Sequence, residues 1–477
     1  MADAQTGPRD EVADAIASFV AEAQRMHSAD VVAAARLVLL DSFAVALGAL
    51  DHPAAQAARR YAGLFGMPTG SRIWGTRLRA SPEVAALVNG APLRAYDYND
   101  LYVGRKSAGH PSDIVPAVLA VAEWKQASGR DVVHALSVGY EVALHLFDTI
   151  DLDKGGWDYV NATAIAGTCA VATLLELNHQ QIVEALAITV IPHAASLEIE
   201  SGELNRRGDL TMWKRFNGSD AVRHSVFAGL LASIGVEGAV RPFVGKFGFL
   251  KLIDPTPGVR DELIGRLASR APFARIKDVT FKRWPVGSRA QSAIQAALEA
   301  RSAIPDIASI ERVRVETQPA VYQHLVASRK DPWAPFSRET ADHSLPYIVA
   351  AAVIDGTVNP DSFDVEKVLD PRRKDFLQKV EVAACDDLAG ASSGEFLSRI
   401  EIHTRDGFVA RGRSRPPPGH PAQPFTEAEV IGKLQENAAA VLGDERCRRL
   451  TETVLTIDRL DDIAALADCL VADAAAR

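Results

Sequence analysis

The chain has 477 residues, of which 48% are hydrophobic and 24% are charged. These are ordinary values for globular proteins, and they exclude disorder, collagen and coiled coil as descriptions of the whole chain. Lys and Arg number 52 against 61 Asp and Glu, a formal net charge of −9. Because the overall field repels anions, we expect neither a nucleic-acid partner nor a membrane partner, and any bound anion must be held by local basic groups.

The cysteines indicate the redox compartment. Cys169, Cys385, Cys447 and Cys469 are far apart and form no C-x-x-C motif. A disulfide framework, a zinc ribbon and a thiolate-bound cluster are therefore not expected. Met1–Gln5 shows neither the basic nor the apolar part of a signal peptide. Together these features predict a cytoplasmic protein with reduced thiols.

The chain from Asp10 to about Lys251 has the apolar spacing of helices, three and four residues apart. Its most apolar stretch, Val31–Leu50, contains Arg36 and Asp41 and falls short of about 18 uninterrupted apolar residues, so we interpret it as a buried helix. So many Ala-rich, apolar helices predict helices packed on helices. The predicted helices are Asp10–Met26, Asp30–Leu50, Pro53–Ala62, Pro82–Leu93, Asp113–Gln126, Gly129–Phe147, Ala162–Leu177, His179–Val190, Asn217–Ile234 and Gly248–Leu252.

The pattern changes near Ile276 to the apolar–polar alternation of strands. Helical stretches lie between the strands, at Ser288–Arg301 and His343–Asp355, and Asp406-Gly407 is a hairpin-turn signal. The predicted strands are Arg275–Lys282, Ile310–Thr317, Val380–Ala383, Ser398–Thr404 and Arg405–Arg413.

These patterns predict a mainly α fold with two domains. Residues 1–275 would form a large all-helical domain, and residues 276–416 a smaller α+β domain. Pro416–Pro421 has the composition of a linker. After it, Thr426-Glu-Ala-Glu429 is a capping box that opens a helical segment. We expect residues 417–477 to return to the first domain.

Motifs for cofactors and metals are missing from the sequence. No G-x-G-x-x-G follows a strand, and neither H-E-x-x-H nor G-x-S-x-G occurs. Gly238 and Gly245-Lys246 are separated by six residues where a phosphate-binding loop has four. The twelve histidines show no ligand-like spacing beside a carboxylate. We therefore predict no cofactor and no metal site.

Three segments are more polar than their surroundings. The first, Tyr96–Ser112, carries Asp97, Asp100 and His110, a set suited to proton transfer. The alternative for this segment is a surface loop with Asx turns.

The other two polar segments carry cations. Asp209–Gly218 places Lys214 and Arg215 between aromatic residues, just before an Ala-rich helix. Phe281–Ala290 holds Lys282, Arg283 and Arg289. The alternative is that these side chains cover apolar surface with their stems. Together with the acidic loop, they predict a site for a multiply charged carboxylate.

Five motifs follow one another along the chain: Asp97–Pro116, Met212–Gly218, Pro242–Phe249, Phe281–Pro285 and Asp342–Val349. They resemble, in the same order, motifs of the MmgE/PrpD family, which contains 2-methylcitrate dehydratase, cis-aconitate decarboxylase and iminodisuccinate epimerase. The resemblance implies that the smaller domain is a lid, that the C-terminal segment completes the helical domain, and that the protein is a homodimer. A homodimer would also cover apolar helices such as Val31–Leu50 and Ala162–Leu177.

The resemblance also implies roles for individual residues. Asp97, His110, Lys214 and Lys282 match catalytic positions, and Tyr322 matches a tyrosine of the lid domain. The chain differs from the decarboxylase branch at two positions, where Leu101 stands for a threonine and Gly287 for a histidine. At a third position, Asn161 stands for a histidine of the family.

We therefore predict a cofactor-independent hydro-lyase, similar to 2-methylcitrate dehydratase, that acts on a di- or tricarboxylic acid. Removing water needs a base, an acid and cations that hold the carboxylates. Asp97 and His110 are the candidates for proton transfer, in either order, and Lys214 and Lys282 for holding carboxylates. The further substrate-binding candidates are Arg215, Arg289 and Asn161. A decarboxylase or epimerase of a related acid remains an alternative, as does a non-catalytic member that binds a carboxylate.

Overall fold

The protein is mainly α-helical and contains small β-sheets. The structure is a computed structural model that describes residues 9–23, 25, 27–200, 205–206, 211–268, 273–388, 394–413 and 415–472. The segment Met1–Gln5, the predicted helix end at Met26 and the last residues of the C-terminal segment lie outside the described residues.

The helices predicted for the first part of the chain are confirmed, with ends that shift by a few residues. A further helix, Val259–Leu267, was not predicted. The observed helices are Glu11–Ala21, Ala29–Gly48, Pro53–Ala62, Pro82–Arg94, Val115–Lys125, Gly129–Thr149, Val160–Leu174, His179–Val190, Asn217–Ser233 and Phe249–Ile253.

The first part of the chain is not all-helical, which corrects the prediction. Gly66–Arg72 pairs with Arg79–Ala80, and Tyr102–Val103 pairs with Ala108–Gly109, each antiparallel. These strands are short and carry no apolar alternation, so local pattern does not reveal them. Tertiary contacts hold them instead: Ser71 Oγ, for example, donates to the Ala120 carbonyl at 2.6 Å.

The helix Ala29–Gly48 contributes many buried residues to the larger hydrophobic cluster. It is long and apolar enough to cross a membrane by length and composition, yet 67% of its most apolar window is buried inside the molecule. The helix Glu427–Leu442 packs along it and contributes Val430 and Leu434 to the same hydrophobic cluster. Glu427–Leu442 begins with the predicted capping box, and it is followed by Asp444–Leu455 and Ala464–Cys469.

The remaining strands form one four-stranded sheet. Ile310–Thr317 lies in the middle, with Val380–Ala384 parallel on one side and Ser398–Thr404 antiparallel on the other. Val409–Arg413 completes the sheet, and Gly407 takes a positive φ of 85° in the predicted hairpin turn. The helices of this part of the chain are Gln291–Ser302, Pro319–Tyr322, Arg338–Ala341, Leu345–Asp355, Val365–Leu369 and Pro371–Leu377.

The prediction of a strand at Arg275–Lys282 is wrong. A short 3₁₀ helix covers Arg275–Asp278, and only Thr280 forms a bridge, with Leu101. The apolar residues of this stretch are buried in the cluster of the helical part, which explains the alternation without a sheet. The stretch therefore runs beside the loop that carries Asp97.

Two hydrophobic clusters divide most of the core. The larger one draws on residues from Val12 to Phe281 and from Phe425 to Leu470, and the other on residues from Trp284 to Ala410. Lys282 lies where the chain passes from the first cluster to the second. The division of the chain at residues 276 and 416 into a helical domain and a lid domain stays a prediction.

Candidate active site

Asp97 occupies an unusual backbone conformation in the loop after the helix Pro82–Arg94. Its φ is +48°, in the left-handed region that an L-residue enters at a cost of about 1–2 kcal/mol. The Asp97 N–H donates to the Arg94 carbonyl at 3.3 Å, so the chain turns back on the end of the helix. This turn directs the carboxylate toward the Arg94 guanidinium.

Cations surround the Asp97 carboxylate. Lys282 Nζ donates to Asp97 Oδ1 at 2.9 Å and to the Asp97 carbonyl at 2.6 Å, and Arg94 Nη1 donates to Oδ1 at 3.3 Å. Burial alone raises the pKa of Asp97, but the charges of Lys282 and Arg94 outweigh it and hold the pKa well below its usual value. Asp97 is therefore ionised and is a poor proton donor.

His110 presents an unprotonated nitrogen to the same carboxylate. Its Nδ1 lies 2.5 Å from the Asp100 carbonyl oxygen, which can only accept, so Nδ1 carries the proton. Nε2 lies 3.6 Å from Asp97 Oδ1. Burial, together with the charges of Arg94 and Lys282, lowers the pKa of His110 well below 6.5. The imidazole is therefore neutral, and its Nε2 can act as a base.

Asp100 lies in the layer behind His110 and is fully buried. Its Oδ1 accepts from the Ser112 N–H at 3.0 Å, and its Oδ2 accepts from the Tyr140 hydroxyl at 2.8 Å. Burial raises the pKa of Asp100 to about 7. The carboxyl group thus titrates near neutral pH and fixes the loop that presents His110.

Replacing Asp100 with Asn is expected to stabilise the protein more at pH 8 than at pH 5. A raised folded-state pKa contributes stability that is complete below the unfolded value and is lost as pH rises through the folded value of about 7. Asn cannot ionise, so its advantage in free energy of unfolding should grow by about 2–3 kcal/mol between pH 5 and pH 8. Urea unfolding at both pH values measures this growth, and an equal difference at both would contradict it.

A second network braces Arg94 and the His110 loop. Asn99 accepts from Arg94 Nη1 at 2.6 Å and donates to Asp113 Oδ1 at 3.1 Å, while the Tyr159 hydroxyl donates to Asp113 Oδ2 at 2.7 Å. A Cβ at Gly218 would lie 2.4 Å from that same Oδ2. The Phe-Asn-Gly motif therefore needs a glycine at position 218 so that the helix Asn217–Ser233 can lie close to the Asp113 carboxylate.

Lys214 contacts His343, which lies in the C-terminal part of the chain. Lys214 Nζ lies 3.1 Å from His343 Nε2, and His343 Nδ1 hydrogen-bonds to Asp342 Oδ1. Because the carboxylate accepts, Nδ1 carries the proton and Nε2 accepts from the Lys214 ammonium. The positive charge of Lys214 also contributes to the lowered pKa of Asp97, after Lys282, Arg94 and His110. Nη2 of the adjacent Arg215 lies 3.8 Å from Asp342 Oδ2.

Three further side chains belong to the site and were not predicted as site residues from the sequence: His343, Arg94 and Asp113. The Asp-His-Ser-Leu-Pro motif was the available signal for His343, because a buried Asp-His pair next to a helix start is costly without a polar partner. The other two lie inside or beside apolar helices, and no local pattern distinguishes them from surface or capping residues.

Three predicted residues make other contacts. The Asn161 side-chain amide donates to the Asp158 and Ala195 carbonyls at 2.8 and 2.7 Å, so both of its hydrogens are used within the protein. Tyr322 packs against the hydrophobic cluster that draws on residues from Trp284 to Ala410, and the Arg289 guanidinium lies 5.5 Å from the centre of the Phe396 ring. Their roles in binding or catalysis stay predictions.

Two of the sequence differences border the site. Leu101 is buried and pairs through its backbone with Thr280. Gly287 has φ −52°, which any residue can adopt, and a Cβ there would meet Asp97 Oδ2 at 3.6 Å, an ordinary contact. Backbone conformation therefore does not require glycine at 287, and a larger side chain would project beside the Asp97 carboxylate.

The site concentrates positive charge in an acidic chain. Within the described ranges it combines four cationic side chains with three carboxylates: Arg94, Lys214, Arg215 and Lys282, with Asp97, Asp113 and Asp342. Both terminal nitrogens of the buried Arg215 guanidinium make no hydrogen bond to any described residue. The arrangement suits a ligand with more than one carboxylate. No group of three or more His, Cys, Asp or Glu in the described part of the chain could hold a metal ion.

Comparison with known proteins identifies the family. Residues 14–261 match the MmgE/PrpD N-terminal domain, and residues 284–459 match the MmgE/PrpD C-terminal domain. The chain is 25% identical to cis-aconitate decarboxylase of Homo sapiens over 429 residues, covering 87% of this chain and 84% of the relative. It is 24% identical to the mitochondrial 2-methylcitrate dehydratase of Yarrowia lipolytica over 432 residues (84% and 78%). It is 26% identical to the 2-methylcitrate dehydratase of Escherichia coli over 373 residues (72% and 71%). The chain belongs to the MmgE/PrpD family.

Proposed function

We propose that the protein is a lyase that removes water from a hydroxylated di- or tricarboxylic acid. The observation that carries this proposal is that a neutral imidazole and an ammonium group both lie close to one oxygen of an ionised carboxylate. His110 Nε2 lies 3.6 Å and Lys282 Nζ 2.9 Å from Asp97 Oδ1. A base and an acid that share one oxygen lie within reach of adjacent carbons of one substrate. The relatives are named for tricarboxylic acids: 2-methylcitrate, which carries a hydroxyl group, in the dehydratases, and cis-aconitate, which carries none, in the decarboxylases.

The roles follow from the protonation states. His110 Nε2 takes the proton from the carbon next to a carboxylate, and the ionised Asp97 stabilises the imidazolium that forms. Burial lowers the pKa of Lys282, which makes its ammonium a better proton donor. Two of its three hydrogens bind Asp97, and the third goes to the departing hydroxyl, which leaves as water. The C–H and C–O bonds break and a C=C bond forms.

Lys214 and Arg215 hold the substrate carboxylates in this proposal. Lys214 is oriented by His343, and the Arg215 guanidinium has nitrogens available for a ligand. Charge-assisted pairs of this type are short and strong, and they position a substrate without taking part in bond breaking.

The test is turnover by purified protein of 2-methylcitrate, citrate, cis-aconitate and iminodisuccinate, followed by NMR. We expect an unsaturated acid to form from a hydroxy acid, at a rate that EDTA does not change. Release of CO₂ from cis-aconitate or inversion of iminodisuccinate would replace the proposal with decarboxylation or epimerisation. Thermal stabilisation by an acid without turnover would favour a non-catalytic binding protein.

Replacing Lys214 with Ala is expected to raise KM with little change in kcat. Losing one cation–carboxylate pair should weaken substrate binding by about 2–4 kcal/mol. The effect should shrink for a substrate with one carboxylate fewer. Steady-state kinetics on two such acids checks this, and a fall in kcat at unchanged KM would contradict a binding role.

We also propose that the protein forms a homodimer, although the helices that suggested it are covered by the chain itself. Val160–Leu174 is almost fully buried within one chain. Support comes instead from apolar side chains that are at least 70% exposed: Leu64, Ile234, Val240 and Phe247. Light scattering at micromolar concentration should give twice the mass of one chain, and the mass of a single chain would contradict the dimer.

A further inference from the structure

A second buried ion pair lies directly behind Asp97 and Lys282. Lys433, on the helix Glu427–Leu442, donates from Nζ to Asp41 Oδ1 at 2.7 Å. Both side chains are almost completely inaccessible to solvent. Asp41 Oδ2 accepts no hydrogen bond from any described residue. Burial raises the pKa of Asp41, and among the neighbouring groups Lys433 opposes that shift most strongly.

The other two hydrogens of Lys433 reach the backbone of the candidate site. Nζ donates to the Lys282 carbonyl at 2.9 Å and to the Tyr98 carbonyl at 3.2 Å. It also lies 3.8 Å from the centre of the Tyr98 ring. Tyr98 follows Asp97 in the chain, so one ammonium group joins the two segments that carry the Asp97–Lys282 pair.

Stability alone does not explain this arrangement. Taking two charges out of water is costly, and replacing a buried ion pair with well-packed apolar residues is often neutral or stabilising. Val430, Leu434 and Ala438, the neighbours of Lys433 on the buried face of its helix, are apolar. An apolar residue at 433 would continue that face, but it could not bind two backbone carbonyls at once.

We infer that Lys433 is a positioning residue for the reaction proposed above: through the Tyr98 and Lys282 carbonyls it sets the distance and orientation of Asp97 and Lys282. Asp41 holds Lys433 in place. The helix Glu427–Leu442 is thereby part of the catalytic apparatus although it contributes no group that touches substrate. The inference rests on the proposed lyase function.

The test uses the double variant Asp41→Asn/Lys433→Met in the full-length protein, because each single change leaves an unpaired buried charge. We expect kcat to fall roughly 10- to 100-fold, the effect of a small displacement of reacting groups, while KM stays within about twofold. Rates are taken at a temperature at which circular dichroism shows the variant folded. Glu436→Gln is the matched control, since it breaks an exposed pair with Arg283 one turn further along the same helix and should leave kcat unchanged.

A double variant with the kcat of the wild type would overturn the inference. If the wild type turns over none of the acids, the proposed function fails, and a crystal structure of the double variant decides the inference instead. The Lys282 Nζ to Asp97 Oδ1 distance, 2.9 Å here, should then exceed about 3.5 Å, beyond hydrogen-bonding range. An unchanged distance would overturn the inference independently of activity.

Discussion

Replacing His110 with Gln is expected to lower kcat by roughly 10²- to 10⁴-fold while KM and thermal stability change little. The imidazole is neutral because burial and the neighbouring cations lower its pKa well below 6.5. The substitution therefore leaves the charge of the site unchanged, and Gln can still donate to the Asp100 carbonyl, as His110 Nδ1 does. What it removes is the basic Nε2 that faces Asp97. Steady-state kinetics on the acid that proves to be the substrate measures the loss.

His134→Gln is a suitable control for this experiment. His134 is also buried, and burial lowers its pKa to about 4, so it is a neutral histidine as well. It contacts His27 on another part of the helical core and should tolerate the change without loss of kcat. If His110→Gln kept a near-normal kcat, the loop Tyr96–Ser112 would not be the catalytic segment.

Local sequence pattern was sufficient for most of the helices and for the four-stranded sheet. Ile310–Thr317 alternates apolar and polar residues, and in the sheet Val313 and Val315 are buried as that period requires. The pattern failed at Arg275–Lys282, where buried apolar residues follow the contours of a helical core rather than one face of a sheet. An apolar–polar alternation shows which residues are buried, and residues can be buried against a helical core as well as on one face of a sheet.

The candidate site was predictable only where chemistry is concentrated in a short segment. Asp97 and His110 share one polar loop, and Lys282 lies in a conspicuous cationic turn. Lys214 and His343 are 129 residues apart, and Lys433 lies 392 residues from Asp41. A lysine on an amphipathic helix is usually solvated, so only the fold shows that Lys433 is buried and paired.

Replacing Lys282 with Met should lower kcat strongly and destabilise the protein. The side chain of Lys282 is 1% exposed, and its loss leaves the buried Asp97 carboxylate with Arg94 as its closest remaining cation. Breaking a buried ion pair on one side costs about 3–5 kcal/mol, because the remaining charge is uncompensated. In our proposal Lys282 also supplies the proton for the leaving hydroxyl, so kcat should fall by at least roughly 10²-fold. Urea unfolding and kinetics measure the two effects separately.

The pH dependence and a double variant separate the structural role of Lys282 from its catalytic role. Lys282 is the strongest of the influences that depress the pKa of Asp97. A depressed carboxylate pKa gives stability that is present above the unfolded value of 3.8 and is lost as pH falls through the folded value. The loss in free energy of unfolding caused by Lys282→Met should therefore be largest near pH 7 and shrink below about pH 4.

The double variant Asp97→Asn/Lys282→Met removes the unpaired charge, so it should recover most of the stability but none of the activity. Arg283→Gln, which breaks an exposed pair next to Lys282, should change stability by less than about 1 kcal/mol. If the double variant regained turnover, Lys282 would be structural and the acid would have to be sought among the other cations of the site.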